Sequence, residues 1–180
     1  TMTSQHLIRF ADLPISRWAN GKGDTVELAR HPASDPFEWR LSIATITEAS
    51  AFSPLPGVAR VLMALTPGPL ALTIDGAETT LARHESVTFT GDQEVAALGP
   101  RTPQRDLNLM ARSGIPTLEA ACVADQLTTA PDVIAVIVLD GELSHLGTPL
   151  HAGDAVITNG LATTIDGCGT VALAAVRTIR

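Results

Sequence analysis

"VLMALTPGPLALTIDG", residues 61–76, decides how the chain is read. Two apolar runs flank a Pro-Gly-Pro break, and the second ends on Asp75-Gly76. Runs this short are strand-length rather than helix-length. Asp-Gly between apolar or β-branched flanks signals a hairpin, because glycine accepts the positive φ of a tight primed turn. The strand-like "HESVTFTGD" (84–92) follows. A similar order returns later: "VIAVIVLDG" (133–141) ends on Asp140-Gly141, and "TPLHAGDAVIT" (148–158) carries Gly153-Asp154 where the first pass carried Gly91-Asp92. Apolar strand, Asp-Gly turn and Gly-Asp pair thus occur twice, which predicts two similar β units packed together.

Working outward, strand signals fall at 6–10, 25–31, 38–47, 60–66, 70–75, 86–90, 94–98, 105–111, 133–139, 154–158 and 170–179. Many short strands broken by Gly and Pro predict an all-β sandwich or barrel. At 180 residues and 45% hydrophobic, the chain can bury a core as one unit or as two small, closely packed ones. Only 17% of residues are charged, the net charge is -7, and no Lys/Arg run exists to replace counterions at phosphates. Nucleic acid and anionic membrane are therefore not expected partners. No window approaches the roughly 18 apolar residues of a membrane helix, and "TMTSQHLIRF" lacks a signal-peptide core. The expectation is a soluble, cytoplasmic protein. Cys122 and Cys168 form no C-x-x-C pair and read as reduced, buried thiols.

The order of strand, turn and Gly-Asp resembles the cupin fold, a small antiparallel jelly-roll barrel, and "HAGDAVITNG" (151–160) is similar to its second motif. The resemblance implies a bicupin-type double barrel, or two half-barrels sharing one sandwich, with residues 1–112 forming a first barrel that carries a pocket and 113–180 a closely packed, degenerate second half. The lack of polar inward candidates in that second half predicts a filled core. Four stretches are more specific: "RWANGKGDT" (17–25), "WRLSIA" (39–44), "FSPLPGVAR" (52–60) and "RDLNLM" (105–110). In this order they resemble the HutD/Ves family, cupin-like proteins associated with histidine utilisation. Two positions depart from the family pattern: Lys22 stands where a third glycine is usual, and Ala59 where an acidic residue is frequent.

The Gly-Lys-Gly core of "RWANGKGDT" does not make a phosphate loop. A Walker-type loop ends in Gly-Lys-Ser/Thr before a helix, whereas here Gly23-Asp24 leads into the alternating "TVELAR". It is either a glycine turn entering a strand or the polar rim of a barrel mouth, with Asn20 and Thr25 pointing inward. Cupin enzymes hold a metal with a His-x-His pair, a carboxylate and a later His. None of the five His here are two apart, and Thr164 stands about where the later His is expected. No metal and no other cofactor is predicted. His145 and His151 flank a turn and are expected to face solvent.

Strand alternation separates Arg40, Ser42, Ala44 and Ile46 from Trp39, Leu41, Ile43 and Thr45, and it separates Asp106, Asn108 and Met110 from Arg105, Leu107 and Leu109. The Arg40 set has the character of a pocket wall or of an outer face. Asp106 and Asn108 need partners if buried, in a pocket or in a structural network. Pro54, Pro56 and Gly57 make a stiff turn before Arg60. An arginine fixed there can grip a carboxylate through two parallel hydrogen bonds, or it can pair with a surface acid.

With the family resemblance, the ligand-binding set is Arg60, Asn20, Thr25, Arg40, Ser42, Asn108 and Asp106. The implied function is metal-free binding of a small carboxylate of histidine catabolism, such as urocanate, formate or a formimino-glutamate-like intermediate, by a regulatory protein. A homodimer is expected, as cupins commonly pair through edge strands. One alternative is a metal-free isomerase or hydrolase using Asp106 or His84 to move a proton. Another is a module that regulates by protein contact.

Overall fold

The fold is that of a computed structural model, which describes residues 5–179. The first strands are β1 (His6–Ile8), β2 (Ser16–Arg17), β3 (Gly23–His31), β4 (Trp39–Ile46) and β5 (Ser50–Ala51). Next come β6 (Ala59–Ala64), β7 (Leu70–Ile74), β8 (Ala77–Leu81), β9 (Ser86–Thr90), β10 (Val95–Ala97) and β11 (Gln104–Ala111). The chain closes with β12 (Ile115–Thr128), β13 (Val133–His145), β14 (Thr148–Leu150), β15 (Ala155–Ile157) and β16 (Thr164–Arg177). The helical part of the described chain is one 3-10 turn, Phe10–Asp12, so no described helix is long and apolar enough to cross a membrane.

The strands gather in two compact units. One is Pro14–Pro116 together with residues 178–179; the other joins the N-terminal segment through Leu13 to Thr117–Arg177. This differs from the expected division at 112/113, which left the N-terminus in the first half. The N-terminal segment goes with the later strands because β1 pairs antiparallel with β15, His6 opposite Ile157.

Within Pro14–Pro116, one sheet runs β2-β3-β4-β11-β6-β9 and another β5-β10-β7-β8. Both feed a single apolar cluster: Ile46, Leu62 and Ala64 from the first, and Leu70, Leu72, Leu81, Val95 and Ala97 from the second. Each fully buried leucine contributes on the order of 2 kcal/mol. Registers place like-facing residues in rows. Arg40 and Arg60 lie on either side of Met110, while Ser42 and Leu62 flank Asn108. In the other unit the order is β1-β15-β13-β16-β12, with β14 on β13. Its interior is aliphatic: Val123, Val136, Val138, Leu143, Leu150, Val156, Ile165 and Val171. All three strand orders are open paths among the described residues, and the pairing closes none of them into a barrel.

Asp75-Gly76 makes the expected hairpin, with φ of 49° and 80° and Ile74 opposite Ala77. Asp140-Gly141 does not turn. It lies inside β13, opposite Thr170 and Gly169, beyond a register shift after Val138. Gly141 is needed there for another reason: a Cβ would sit 2.3 Å from the Cys168 carbonyl oxygen. The hairpin forms instead at Leu146-Gly147 (φ 49° and 76°), with His145 opposite Thr148.

The repeat survives in a different frame. The Ala82 amide donates to Glu85 Oε2 at 2.8 Å, and the His151 amide to Asp154 Oδ2 at 2.8 Å. The His84 amide donates to the Ala64 carbonyl, and the Gly153 amide to the Val138 carbonyl. Gly153-Asp154 therefore matches His84-Glu85, not Gly91-Asp92. His84 takes a left-handed φ of 68° where Gly153 takes 90°.

Other expectations are corrected. Both cysteines are free and exposed, not buried. His145 is buried, its Nδ1 2.9 Å from the Thr164 carbonyl oxygen, while His151 is exposed. β12 carries no strand signal in the sequence. Its "LEAACVADQ" is rich in residues without strand preference, and pairing with β16 overrides that.

Candidate functional site

A cavity of about 420 Å³ lies within Pro14–Pro116. All seven residues singled out from the sequence line it: Asn20, Thr25, Arg40, Ser42, Arg60, Asp106 and Asn108. Strand alternation explains the convergence. Arg40, Ser42 and Ala44 share one face of β4, and Asp106, Asn108 and Met110 the matching face of β11. Ile46, next on the β4 face, drops into the apolar cluster and sets the inner limit. Ser42, Asp106 and Asn108 are buried, whereas Ala19, Asn20, Ala51 and Ser53 form an exposed rim.

Arg60 lies deeper than a residue at the mouth, with 8% of its surface exposed. The corner before it is fixed by backbone. The Leu55 amide donates to the Gly91 carbonyl at 3.0 Å, and the Gly91 amide to the Val58 carbonyl at 2.8 Å. A Cβ on Gly91 would fall 1.8 Å from the Leu55 oxygen, so only glycine allows this approach. The guanidinium carbon stands 5.5 Å from the Phe52 ring centre and 4.9 Å from that of Phe89. Stacking of this kind holds a planar cation with little hydration. Its Nη1 reaches the Ser53 carbonyl only at 3.5 Å, and its buried Nε has no partner.

Burial pulls the Arg60 guanidinium down to about 10, with Asp106 opposing and Arg40 adding to the effect. It stays charged at neutral pH. Burial pushes the Asp106 carboxyl up to about 7, against a hydrogen bond from Asn108 and the charge of Arg60. Asn108 Nδ2 donates to Asp106 Oδ1. Asp106 Oδ2 and Asn108 Oδ1 are buried without partners. Arg40 Nε sits 2.8 Å from Glu27 Oε1, a charge contact without hydrogen-bond alignment. At the rim, Asn20 donates to Ser50 Oγ at 3.1 Å and accepts from the Lys22 amide at 2.9 Å. Thr25 Oγ1 accepts from Trp18 Nε1 at 2.8 Å. Trp18, Phe52, Leu55 and Met110 complete the wall. These four were not singled out from the sequence, yet the scarcity of aromatics (3% of the chain) marks Trp18 and Phe52 in retrospect. His84 does not line the cavity. Among the described residues, no three His, Cys, Asp or Glu side chains gather as a metal ion would need.

The HutD family model matches residues 10–174. The chain belongs to the HutD family. It is 43% identical over 103 residues to protein Ves of Citrobacter koseri, covering 56% of this chain and 54% of that one. It is 34% identical over 112 residues to a 21.2 kDa protein of the Pseudomonas putida hutC 3′ region, covering 61% and 59%. The matches thus span little more than half the length of these relatives. Among solved structures, HutD of Pseudomonas fluorescens, determined in a formate condition, superposes with a TM-score of 0.80 at 26% identity, covering 97% of this chain and all of that one. Escherichia coli YlbA shares the fold at a TM-score of 0.72 and 10% identity, covering 100% and 94%. The family is thereby linked to the histidine-utilisation region.

Proposed function

We propose that this HutD-family chain is a metal-free, cytoplasmic regulatory protein of histidine utilisation. In this reading it folds as a cupin-type double barrel, works as a homodimer and binds a small carboxylate such as urocanate, formate or a formimino-glutamate-like intermediate. One observation carries the reading: Arg60 is a buried cation, stacked on Phe52 and Phe89, with Nε unpartnered beside an open cavity. A buried polar group without a partner is costly, and a carboxylate supplies two acceptor oxygens to a guanidinium edge. Arg40 adds positive charge, Asn108 a hydrogen-bonding amide, and Asn20, Thr25 and Ser42 polar atoms toward the rim. The acids themselves come from the family association with histidine utilisation. Isothermal titration with the three acids is expected to give saturable heat, and Arg60→Ala to weaken binding by about 100-fold. Flat titrations with all three would overturn the reading.

A second reading has an observation of its own. Asp106, which lines the cavity with its carboxyl at about 7 and one buried oxygen without a partner, has the protonation range of a general acid or base. In that case purified protein would convert a pathway acid, which mass spectrometry of the mixture would detect.

A further inference from the structure

Asp106 and Arg60 lie in one cavity, and an entering anion would disturb their balance. The charged groups facing Asp106 are Arg60 from β6 and Arg40 from β4, with Glu27 of β3 behind Arg40. The corner and β5 add Ala51, Phe52, Ser53 and Leu55, none of which titrates. Glu27 is shared between Arg40 and Arg30, which also pairs with Asp35, and Arg60 faces Asp106. A carboxylate on Arg60 would bring a second anion beside an ionised Asp106 in a desolvated space, where like charges repel strongly.

We propose that the cavity takes up its anionic ligand together with one proton, which settles on Asp106 Oδ2 and is donated in a hydrogen bond to the ligand carboxylate. The atoms are placed for this. Oδ1 is already occupied as the acceptor of Asn108 Nδ2, and Oδ2 is buried and unpartnered. The proton comes from solvent, no bond in the ligand changes, and the ligand's negative charge replaces that of Asp106 opposite Arg60. The carboxyl of the unliganded protein, already lifted to about 7 by burial, makes this uptake accessible near neutral pH. Asp106 thereby becomes a selector: it accepts a carboxylate whose oxygen can receive a hydrogen bond and resists binding as protons become scarce. The inference rests on the carboxylate reading of the same cavity.

The test is calorimetric titration of the full chain with urocanate and with formate at about pH 8, where neither probe titrates, in buffers of different ionisation enthalpy. Plotted against that enthalpy, the observed heat is expected to show close to one proton taken up per ligand bound. The dissociation constant is expected to rise about tenfold per pH unit above about pH 7. In a folded Asp106→Asn, binding is expected to be weaker, and what persists is expected to show neither the uptake nor the slope. The wild-type uptake stands as a measurement even if the variant fails to fold. Saturable binding with no uptake overturns this inference and leaves the carboxylate reading intact. Uptake that persists in a folded Asp106→Asn also overturns it. No saturable heat at about pH 6 removes both.

Discussion

Asp154 and Asp106 are both buried carboxylates on β-rich scaffolds, and their surroundings make them opposites. Asp154 accepts from Arg9 Nη1 at 2.7 Å, from the Phe10 amide at 3.0 Å and from the His151 amide at 2.8 Å. Burial alone would push its carboxyl up. The His151 and Phe10 amides and Arg9 more than offset this, so the group sits below the ordinary carboxylate value. Asp106 has one side-chain amide on Oδ1 and nothing on Oδ2, and burial prevails. The first acid is a staple that ties the N-terminal segment to its own unit. The second faces a cavity that is still short of partners. Saturation of hydrogen bonds, rather than depth, separates a structural acid from one available for binding.

The contrast is broken most easily at the staple. Asp154→Ala removes the acceptor of two backbone amides and the counter-charge of Arg9, so a loss of about 3 kcal/mol is expected in urea unfolding. An effect within the range of an ordinary surface substitution would show that the staple is redundant. The cavity acid should respond with the opposite sign. With its folded value near 7, above the ordinary value of about 4, the native state holds more protons than the unfolded chain between those limits. Stability therefore falls as pH rises from about 4 to about 7 and is level in this respect above that. Asp106→Asn should remove the slope. At about pH 8 it should add about 2 kcal/mol, less than full relief of the ionised carboxylate because the new amide brings N–H groups that need partners. Unfolding curves across pH for both proteins decide it. A wild-type stability that rises through that window would contradict the assignment.

The legibility of the chain divides along the same line. Alternation on "WRLSIATI" and "RDLNLM" specified which side chains share a face, and a strand holds that relation wherever it packs. This is why Arg40 groups with Ser42, and Asp106 with Asn108, on the sequence alone; joining the two pairs in one site rests on the family resemblance. The turn residues were less informative. Asp75-Gly76 and Asp140-Gly141 are the same dipeptide, yet one is a hairpin and the other lies mid-strand, where glycine serves the approach of Cys168. Local chemistry permits a turn; the partner strand decides whether it is used. The Gly-Asp pairs misled in the same way, since the structural counterpart of Asp154 is Glu85, and glutamate for aspartate hides the match. β12 and the exposure of Cys122 were illegible because edge position is a property of strand order, which no single stretch encodes.

The smallest expected effect sharpens what fixes Arg60. Two glycines shape its corner for different reasons. Gly57 needs its φ of 77° but faces open space, whereas Gly91 is forced by the Leu55 backbone. Gly57→Ala thus meets only the conformational penalty of a left-handed alanine, about 1 kcal/mol in unfolding experiments. The contacts from Leu55 and Val58 to Gly91 stay in place. Carboxylate affinity should then remain within about twofold of wild type, because the guanidinium is held by Phe52, Phe89 and that backbone clamp rather than by the turn's own stiffness. A large loss of affinity from Gly57→Ala, at unchanged global stability, would transfer the positioning of Arg60 from the clamp to the turn.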